Sequence, residues 1–249
     1  EKIMYLILSI SVIVFYFLMQ MVELASFGSR VAGRLSNNLA LGTTIHHTMY
    51  VGSRFFLVPF LPVLAYLVET GITINNYLLL VIISLFSALI MSILVLYKVD
   101  YLQIFFQIVF RNNKSNYLPT ALLKTLFSSN KSDISFNSFD EFSNTNVNKK
   151  KVMLSFIAYS FLVTSFFIAF TLAIIFPEYR LTLSQSTSVF HGFGAVIVAF
   201  YLDPMLSKSI DRLNDKSWIV NAYSILLGRV LSYLISCILF ILVLIINLY

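Results

Sequence analysis

Long apolar runs alternate with short polar segments along almost the whole chain. A transmembrane helix needs roughly 20 predominantly apolar residues to cross the ~30 Å hydrocarbon core of a bilayer. Six segments fit this pattern, with ends uncertain by several residues: 3–22, 39–68, 77–97, 152–176, 189–205 and 218–248. Period-two alternation, which is typical of a membrane β-barrel, is absent. The pattern therefore predicts an all-α polytopic membrane protein with about six transmembrane helices.

Prolines and length distinguish three of these spans. Pro59 and Pro62 lie inside the second span, which is longer than a bilayer requires, and should kink it. The fifth span is short and is expected to end at Asp203–Pro204, because proline disfavours helical backbone in the residue before it. The first span has a longer apolar run than a cleaved signal peptide, so we interpret it as a true span.

Composition and charge narrow the class further. Hydrophobic residues make up 59% of the chain and charged residues 11%, whereas soluble domains have about 25% charged residues. The net charge of +6 does not indicate nucleic-acid binding, because most cationic residues lie in loops beside the spans, where they set topology. The single Cys237 excludes a disulfide within one chain and is expected to pack inertly in an apolar helix.

The distribution of lysine and arginine predicts an orientation. The loops after spans one, three and five contain most of these residues, whereas the loops after spans two and four contain only Arg180. The positive-inside rule places the odd-numbered loops in the cytoplasm. Both termini are therefore predicted to lie outside.

A long polar segment divides the six spans into two groups of three. We expect a first transmembrane half at 1–97, a cytoplasmic loop at 98–151 and a second half at 152–249. Residues 101–110 are apolar but too few to cross, which favours an interfacial helix. Residues 128–148 are rich in Ser, Asn and Asp and are predicted to form a mobile linker. The basic run 149–151 is interpreted as a topology anchor, with contact to anionic membrane lipids as the alternative.

The two halves share a weak pattern. In each half a descending apolar helix leads to an acid, a basic hairpin and an ascending helix with a deep arginine: Glu23 and Arg54 in the first, Asp203 and Arg229 in the second. Both copies run in the same direction, so a true duplication would be a parallel repeat. Apolar runs also match by chance, and both interpretations remain open.

The ionisable groups nearest the membrane interior are Glu23, Arg30, His47, Arg54, Asp203 and Arg229. Arg54 lies ~22 Å along its predicted helix. A guanidinium keeps its proton and costs several kcal/mol at such a depth unless it is paired or hydrated, so an intramembrane arginine suggests a functional site.

Polar side chains form stripes on several spans. His47, Tyr50 and Arg54 share one face of span two, and Arg229, Ser232, Tyr233 and Ser236 form a comparable stripe on span six. Span four adds Ser160 and Thr164. Such stripes predict a cavity between the helices.

Two interpretations of this cavity stay open. In the structural one, Glu23 and Asp203 neutralise Arg54 and Arg229 and lock the helices together. In the functional one, the arginines bind an anionic headgroup and the acids hold them in its absence. Arginine suits this role because its planar fork donates two parallel hydrogen bonds to phosphate or carboxylate.

Other chemistries find little support in the sequence. The neighbouring His46 and His47 point about 100° apart on a helix, and His191 is distant in sequence, so they form no metal motif. We find neither a nucleotide-binding loop nor acids spaced for acid–base catalysis. No cofactor or metal is therefore expected.

Three motifs resemble the Amj family of lipid II flippases, the alternate, non-MurJ class in bacteria. The segment Glu23-Leu24-Ala25-Ser26-Phe27-Gly28-Ser29-Arg30-Val31-Ala32-Gly33 is similar to that family's acid–x6–Arg–x2–Gly motif at the end of its first helix. Ser53-Arg54 followed by Pro59 or Pro62 resembles its second motif, and His191-Gly192-Phe193-Gly194 leading to Asp203-Pro204 resembles a late helix. The polar insert 128–151 departs from the compact family pattern, so a related lipid-linked glycan is an alternative substrate.

The resemblance implies a flippase in the bacterial cytoplasmic membrane. It would move an undecaprenyl-pyrophosphate-linked saccharide, lipid II or a related glycan, to the outer leaflet for peptidoglycan and cell-wall biogenesis. We expect Arg30 and Arg34 to capture the pyrophosphate, and Arg54 and Arg229, with His47 and Ser53 beside them, to receive it. Glu23 and Asp203 would compete for the arginines and help release. The alternatives are a membrane enzyme acting on polyprenyl phosphate and an assembly subunit of a cell-envelope glycan complex; oligomeric state is open.

Overall fold

The computed structural model describes residues 2–113, 117–127, 147–211 and 215–248, which are helical and contain no strand. In chain order the helices are α1 (Lys2–Leu35), α2 (Leu39–Ser53), α3 (Leu57–Glu69), α4 (Ile74–Tyr97), α5 (Val99–Asn113), α6 (Leu118–Phe127), α7 (Lys149–Ile175), α8 (Arg180–Gln185), α9 (Thr187–Ile197), α10 (Asp203–Asp211) and α11 (Asp215–Leu248). Short 3₁₀ turns lie at Arg54–Phe56 and Pro177–Tyr179, and a π turn lies at Val198–Leu202.

Six helical segments of the described chain are long and apolar enough to cross a membrane. They are Ile3–Leu35, Leu39–Glu69, Ile74–Tyr97, Lys149–Ile175, Pro177–Ser209 and Trp218–Leu248. The all-α, six-span architecture predicted from the sequence is therefore confirmed, and the chain is a multi-pass membrane protein.

Two predicted span boundaries were wrong. The first helix continues past Val22 to Leu35, because Glu23 and Arg30 find ion-pair partners inside the bundle and do not have to reach water. The fifth span does not end at Asp203–Pro204. Pro204 has no N–H to donate to a helical hydrogen bond. The π turn before Asp203 shifts the hydrogen-bond pattern, so the chain nevertheless continues as α10.

A tight hairpin joins α1 to α2. Asn37 adopts a left-handed conformation (φ 54°), and the Asn38 N–H donates to the Gly33 carbonyl at 2.9 Å, which is the Schellman arrangement for ending a helix. A Cβ added to Gly42 would lie 2.5 Å from the Ser29 carbonyl oxygen, so only glycine lets the two helices pack this closely. The hairpin thereby brings the polar stripe of α2 beside Glu23 and Arg30.

The predicted kink in the second span lies at Arg54–Phe56. Pro59 has no N–H for the Phe55 carbonyl, and its ring crowds that carbonyl, so the backbone tightens to a 3₁₀ turn before α3 begins. Pro62 follows inside α3. The turn places Arg54 at the junction of two helices, from which its side chain reaches α1.

Helices from both ends of the chain share one core. α4 packs against α1 and α11, and α11 also packs against α7 along its length. The largest fully buried side chains in this region are Tyr16, Tyr77, Tyr233, Phe60, Phe167 and Met19. The two groups of three spans therefore contact each other extensively. The division of the chain into two halves remains a prediction from the sequence.

The segment between the two groups of spans begins with two short helices. Residues 101–110 lie within α5, which buries Phe106 and Val109 against α1, α2 and α6. The predicted linker 128–148 lies outside the described residues except for its last two. There, Asn148 caps α7 by accepting from the Lys151 N–H at 3.3 Å. The interfacial location of α5 remains a prediction.

Candidate functional site

A cavity of about 250 Å³ lies between α1, α2, α7, α9, the π turn, α10 and α11. Its ionisable lining consists of Glu23, Arg30, His46, His47, Asp203 and Arg229. Tyr50 and Tyr159 add aromatic walls, and the remaining lining is aliphatic apart from Phe27. Most of the charged residues that the sequence singles out therefore meet around one space.

Glu23 is the centre of the most buried ionic cluster. Its Oε2 accepts from Arg229 Nη2 at 2.9 Å, and its Oε1 lies 3.3 Å from Arg54 Nη2. The Ser53 hydroxyl lies 3.2 Å from Oε1 and hydrogen-bonds it. One carboxylate thus serves two guanidiniums that come from opposite ends of the chain.

Arg229 is held by neutral groups as well as by Glu23. Its Nη2 donates to Gln20 Oε1 at 2.9 Å, and both its Nε and Nη2 lie 3.3 Å from the Tyr233 hydroxyl. The guanidinium carbon lies 4.7 Å from the ring centroid of Tyr159, within the range of a cation–π interaction. The side chain is 8% exposed, so these contacts replace nearly all of its hydration.

Arg54 is held less firmly. It hydrogen-bonds the Tyr50 hydroxyl and lies over the Tyr50 ring, with 4.5 Å between the guanidinium carbon and the centroid. Its side chain is 25% exposed, three times the exposure of Arg229. Arg54 is outside the lining of the central cavity, so it contacts the cluster through Glu23 and Tyr50.

A second ion pair lies at the other end of the cavity. Arg30 Nη2 donates to Asp203 Oδ1 at 2.9 Å and joins α1 to α10. The Asp203 side chain is 35% exposed, and Arg30 Nε is buried without a hydrogen-bond partner among the described residues. The same two residues, with His47 and Thr43, also line a crevice of about 60 Å³ beside Trp218. The pair therefore separates the central cavity from this crevice.

The three histidines occupy different positions. His46 Nδ1 lies 2.9 Å from the Ser26 hydroxyl, and His191 Nδ1 lies 3.3 Å from the Ser165 hydroxyl. His47 lines both the central cavity and the crevice. Among the described residues, no group of three or more His, Cys, Asp or Glu side chains is arranged to hold a metal ion.

Some groupings expected from the sequence do not occur. Arg34 lies near the end of α1, outside the lining of the cavity and the crevice. Ser160 and Thr164 face a separate groove between α7 and α11, because they lie on the opposite side of α7 from Tyr159 and Leu162. Asp203 pairs with Arg30 and not with Arg229, whereas Glu23 pairs with the expected Arg54 and also with Arg229 from the other half of the chain.

Two residues of the cluster were missed in the sequence. Gln20 lies one helical turn before Glu23, and a glutamine inside an apolar span was a usable signal. Tyr159 carried no such signal, because tyrosine is common in apolar helices, where its ring packs among hydrophobic side chains.

The charges around the cavity do not cancel. Arg30, Arg54 and Arg229 are opposed by Glu23 and Asp203, so one positive charge remains. In a medium of low dielectric constant such an excess attracts an anion more strongly than it would in water. The arrangement is suited to binding a phosphate or carboxylate group.

Comparison with known proteins gives one match. A family model described as Amj: Alternate to MurJ matches residues 15–245. No curated protein and no solved structure matches the chain. The match covers nearly the whole chain, including the residues of all three ion pairs described above, and the chain therefore belongs to the Amj family.

Proposed function

We propose that this Amj-family protein is a flippase that moves a polyprenyl-pyrophosphate-linked saccharide, lipid II or a related glycan, between leaflets. The observation that carries the proposal is the sharing of Glu23 by Arg54 and Arg229 inside the membrane-spanning bundle. A fixed structural ion pair needs one arginine for one acid. The additional guanidinium supports a site in which an anion competes with the carboxylate.

The geometry suits a pyrophosphate. Arg229 presents its fork toward the cavity lining, and Arg30 has a buried Nε–H without a partner among the described residues. Planar guanidiniums donate paired hydrogen bonds to phosphate oxygens, and Lys cannot reproduce this geometry. We infer that incoming phosphate oxygens take the places of the Glu23 and Asp203 carboxylates.

From the size of the cavity we infer that it must widen before a whole headgroup enters. Ligand pockets for drug-sized molecules occupy about 300–1,000 Å³, and this cavity holds about 250 Å³. A pyrophosphate fits such a space, whereas a saccharide headgroup requires it to widen. The Arg30–Asp203 pair ties α1 to α10, so its separation is the step that we expect to widen the cavity.

Direction follows from the predicted topology. With the basic loops in the cytoplasm of a bacterium, the Arg30–Asp203 end of the cavity faces inward and the Arg54 end faces outward. A membrane potential that is negative inside favours outward movement of an anion by ~2.3 kcal/mol per charge per 100 mV. Transport in this direction needs no nucleotide.

Reconstitution of the purified protein in liposomes tests the proposal. The substrate is a fluorescent polyprenyl-pyrophosphate disaccharide, and the readout is its accessibility to a membrane-impermeant quencher. We expect Arg229→Ala to slow transfer at least tenfold, because the variant removes the main cation of the cavity. Arg111→Ala is the matched control, since Arg111 is exposed on α5 and away from the cavity.

Two outcomes of this experiment would contradict the proposal. The first is full-rate transfer by folded Arg229→Ala protein. The second is chemical conversion of the lipid by the wild-type protein, which would indicate a membrane enzyme, because a flippase leaves its substrate unchanged.

A further inference from the structure

The central cavity is open along one side, between α2 and the segment formed by α9 and the π turn. His47 on α2 and Ala199 on the π turn both line the cavity, and both are exposed. Among the described residues, α2 packs mainly against α1 and α9 packs mainly against α7, and α2 and α9 are not a closely packed pair. The cavity therefore communicates sideways with the surroundings of the bundle.

We call this opening the α2–α9 slot. Its two walls differ in chemistry. One wall is polar and consists of Thr43, His47, Tyr50 and Arg54, which recur at helical spacing. The facing wall is apolar: Ala195, Val198, Ala199 and Leu202 line the cavity there, and the wall ends at Asp203. Gly192 lies nearly one turn before Ala195, and a Cβ added to it would meet no atom within 4 Å, so α9 is not packed against another helix at that position.

The position of the slot in the membrane determines what it can admit. Both walls belong to segments long and apolar enough to span a bilayer, so the opening faces hydrocarbon. A polar wall at that depth needs a polar partner, whereas the space outside it accepts only apolar chains. A molecule with a phosphate at one end and a hydrocarbon chain at the other satisfies both requirements.

We propose that the α2–α9 slot is the lateral binding path of an isoprenoid lipid phosphate. The phosphate follows the polar wall of α2 between Arg30 and Arg54, and the chain leaves past the small residues of α9 into the bilayer. This inference rests on the proposed function, because that function supplies the isoprenoid class of the lipid.

A second apolar surface provides the competing location for the chain. The groove between α7 and α11 encloses about 600 Å³ and is lined by apolar side chains and hydroxyls, with no charged residue among those described. It lies on the side of α7 opposite Tyr159 and Leu162, which face the central cavity. A chain in this groove would hold its phosphate away from the arginines, so the groove does not suit the same ligand.

Photolabelling distinguishes the two locations. The full-length protein in nanodiscs is irradiated with undecaprenyl phosphate that carries a diazirine in the first isoprene units, and adducts are mapped by mass spectrometry. We expect adducts on 47–51 of α2 and on 196–200. Ala199→Trp, which fills the slot, should reduce this labelling about tenfold.

The control and a second variant keep the test decisive. Leu239→Trp places the same bulk in the groove between α7 and α11, where Leu239 is 55% exposed, and should leave slot labelling unchanged. Ala195→Phe replaces Ala199→Trp if the latter does not fold. Adducts concentrated on 235–243, or full slot labelling in both filled variants, would overturn the proposal.

Competition identifies the lipid class. A tenfold excess of unlabelled undecaprenyl phosphate should abolish slot labelling, and the same excess of phosphatidylglycerol should leave most of it. Equal displacement by both lipids would overturn the isoprenoid assignment. Slot labelling without leaflet transfer would reject the proposed function alone, whereas transfer with labelling in the groove would reject the slot alone.

Discussion

The cavity has two ion-paired ends that differ in composition and burial. At one end Glu23 serves both Arg229 and Arg54, with Gln20, Tyr233 and Tyr159 also contacting Arg229. At the other end Arg30 and Asp203 pair one to one, and Asp203 is 35% exposed. The first cluster is tied into the bundle from many directions, whereas the second is one contact between two helices.

This difference suggests separate roles: the Glu23 cluster stabilises the bundle, and the Arg30–Asp203 pair is the contact that opens. A buried charge that loses its partner is costly, because nothing replaces the lost hydration. In the second pair only one member is open to water, since Asp203 is 35% exposed and Arg30 is 11% exposed, so water compensates for part of the cost of separating them. We therefore expect the Glu23 cluster to stay assembled until an anion replaces the carboxylate, and the Arg30–Asp203 pair to open at a lower cost than the Glu23 cluster.

The largest effect is expected from Glu23→Gln. This change leaves Arg229 and Arg54 without an anionic partner, and removing one member of a buried ion pair costs about 3–5 kcal/mol. Thermal unfolding of the purified protein in detergent should show a clearly lowered Tm. Glu69→Gln is the matched control, since Glu69 is exposed at the end of α3. Equal Tm values for the two variants would show that the cluster contributes no stability.

An intermediate effect is expected from lysine substitutions at the two arginines of the cluster. Arg229→Lys keeps the charge but loses hydrogen bonds to Gln20, Tyr233 or Glu23, at about 1.5–3 kcal/mol for each bond that involves a charged group. Arg54→Lys should cost less, because Arg54 is more exposed and has fewer partners. Leaflet transfer and Tm should both fall further in Arg229→Lys. A larger effect of Arg54→Lys than of Arg229→Lys would mean that the burial of an arginine does not determine how much it contributes.

The smallest effect on stability is expected from Asp203→Asn. Loss of this pair should lower Tm less than Glu23→Gln does, because it leaves one guanidinium without its acid instead of two and because water already reaches the Asp203 side chain. The released Arg30 guanidinium should then bind polyprenyl phosphate more tightly, as measured by equilibrium binding in nanodiscs. A loss of stability comparable to that of Glu23→Gln would remove the distinction between the two ends.

The sequence predicted the helices better than it predicted their partners. Apolar runs alone located six spans, because the hydrophobic requirement of a bilayer acts on each segment separately. The same local reasoning ended the fifth span at Pro204, and it failed because the π turn at Val198–Leu202 accommodates the proline.

The charged residues show the same limit. Arg54 and Arg229 were recognisable as unusual, since a guanidinium in an apolar span demands a partner wherever it lies. The acids that pair with Arg229 and Arg30 were not recognisable. The sequence suggested a pair in each half. The structure contains the first of these, Glu23 with Arg54, but it also joins Glu23 to Arg229, and it joins Asp203 to Arg30.

What the sequence by itself determined is therefore the membrane class, the spans and the demand for buried anionic partners, because each depends on the hydration of single segments or side chains. Only the tertiary structure decided the ion pairs of Glu23 with Arg229 and of Asp203 with Arg30, the turn of Ser160 and Thr164 away from the cavity, and the open side between α2 and α9. These features depend on how helices rotate and pack against one another. Close packing at glycines such as Gly42 sets that arrangement, and no single apolar run specifies it.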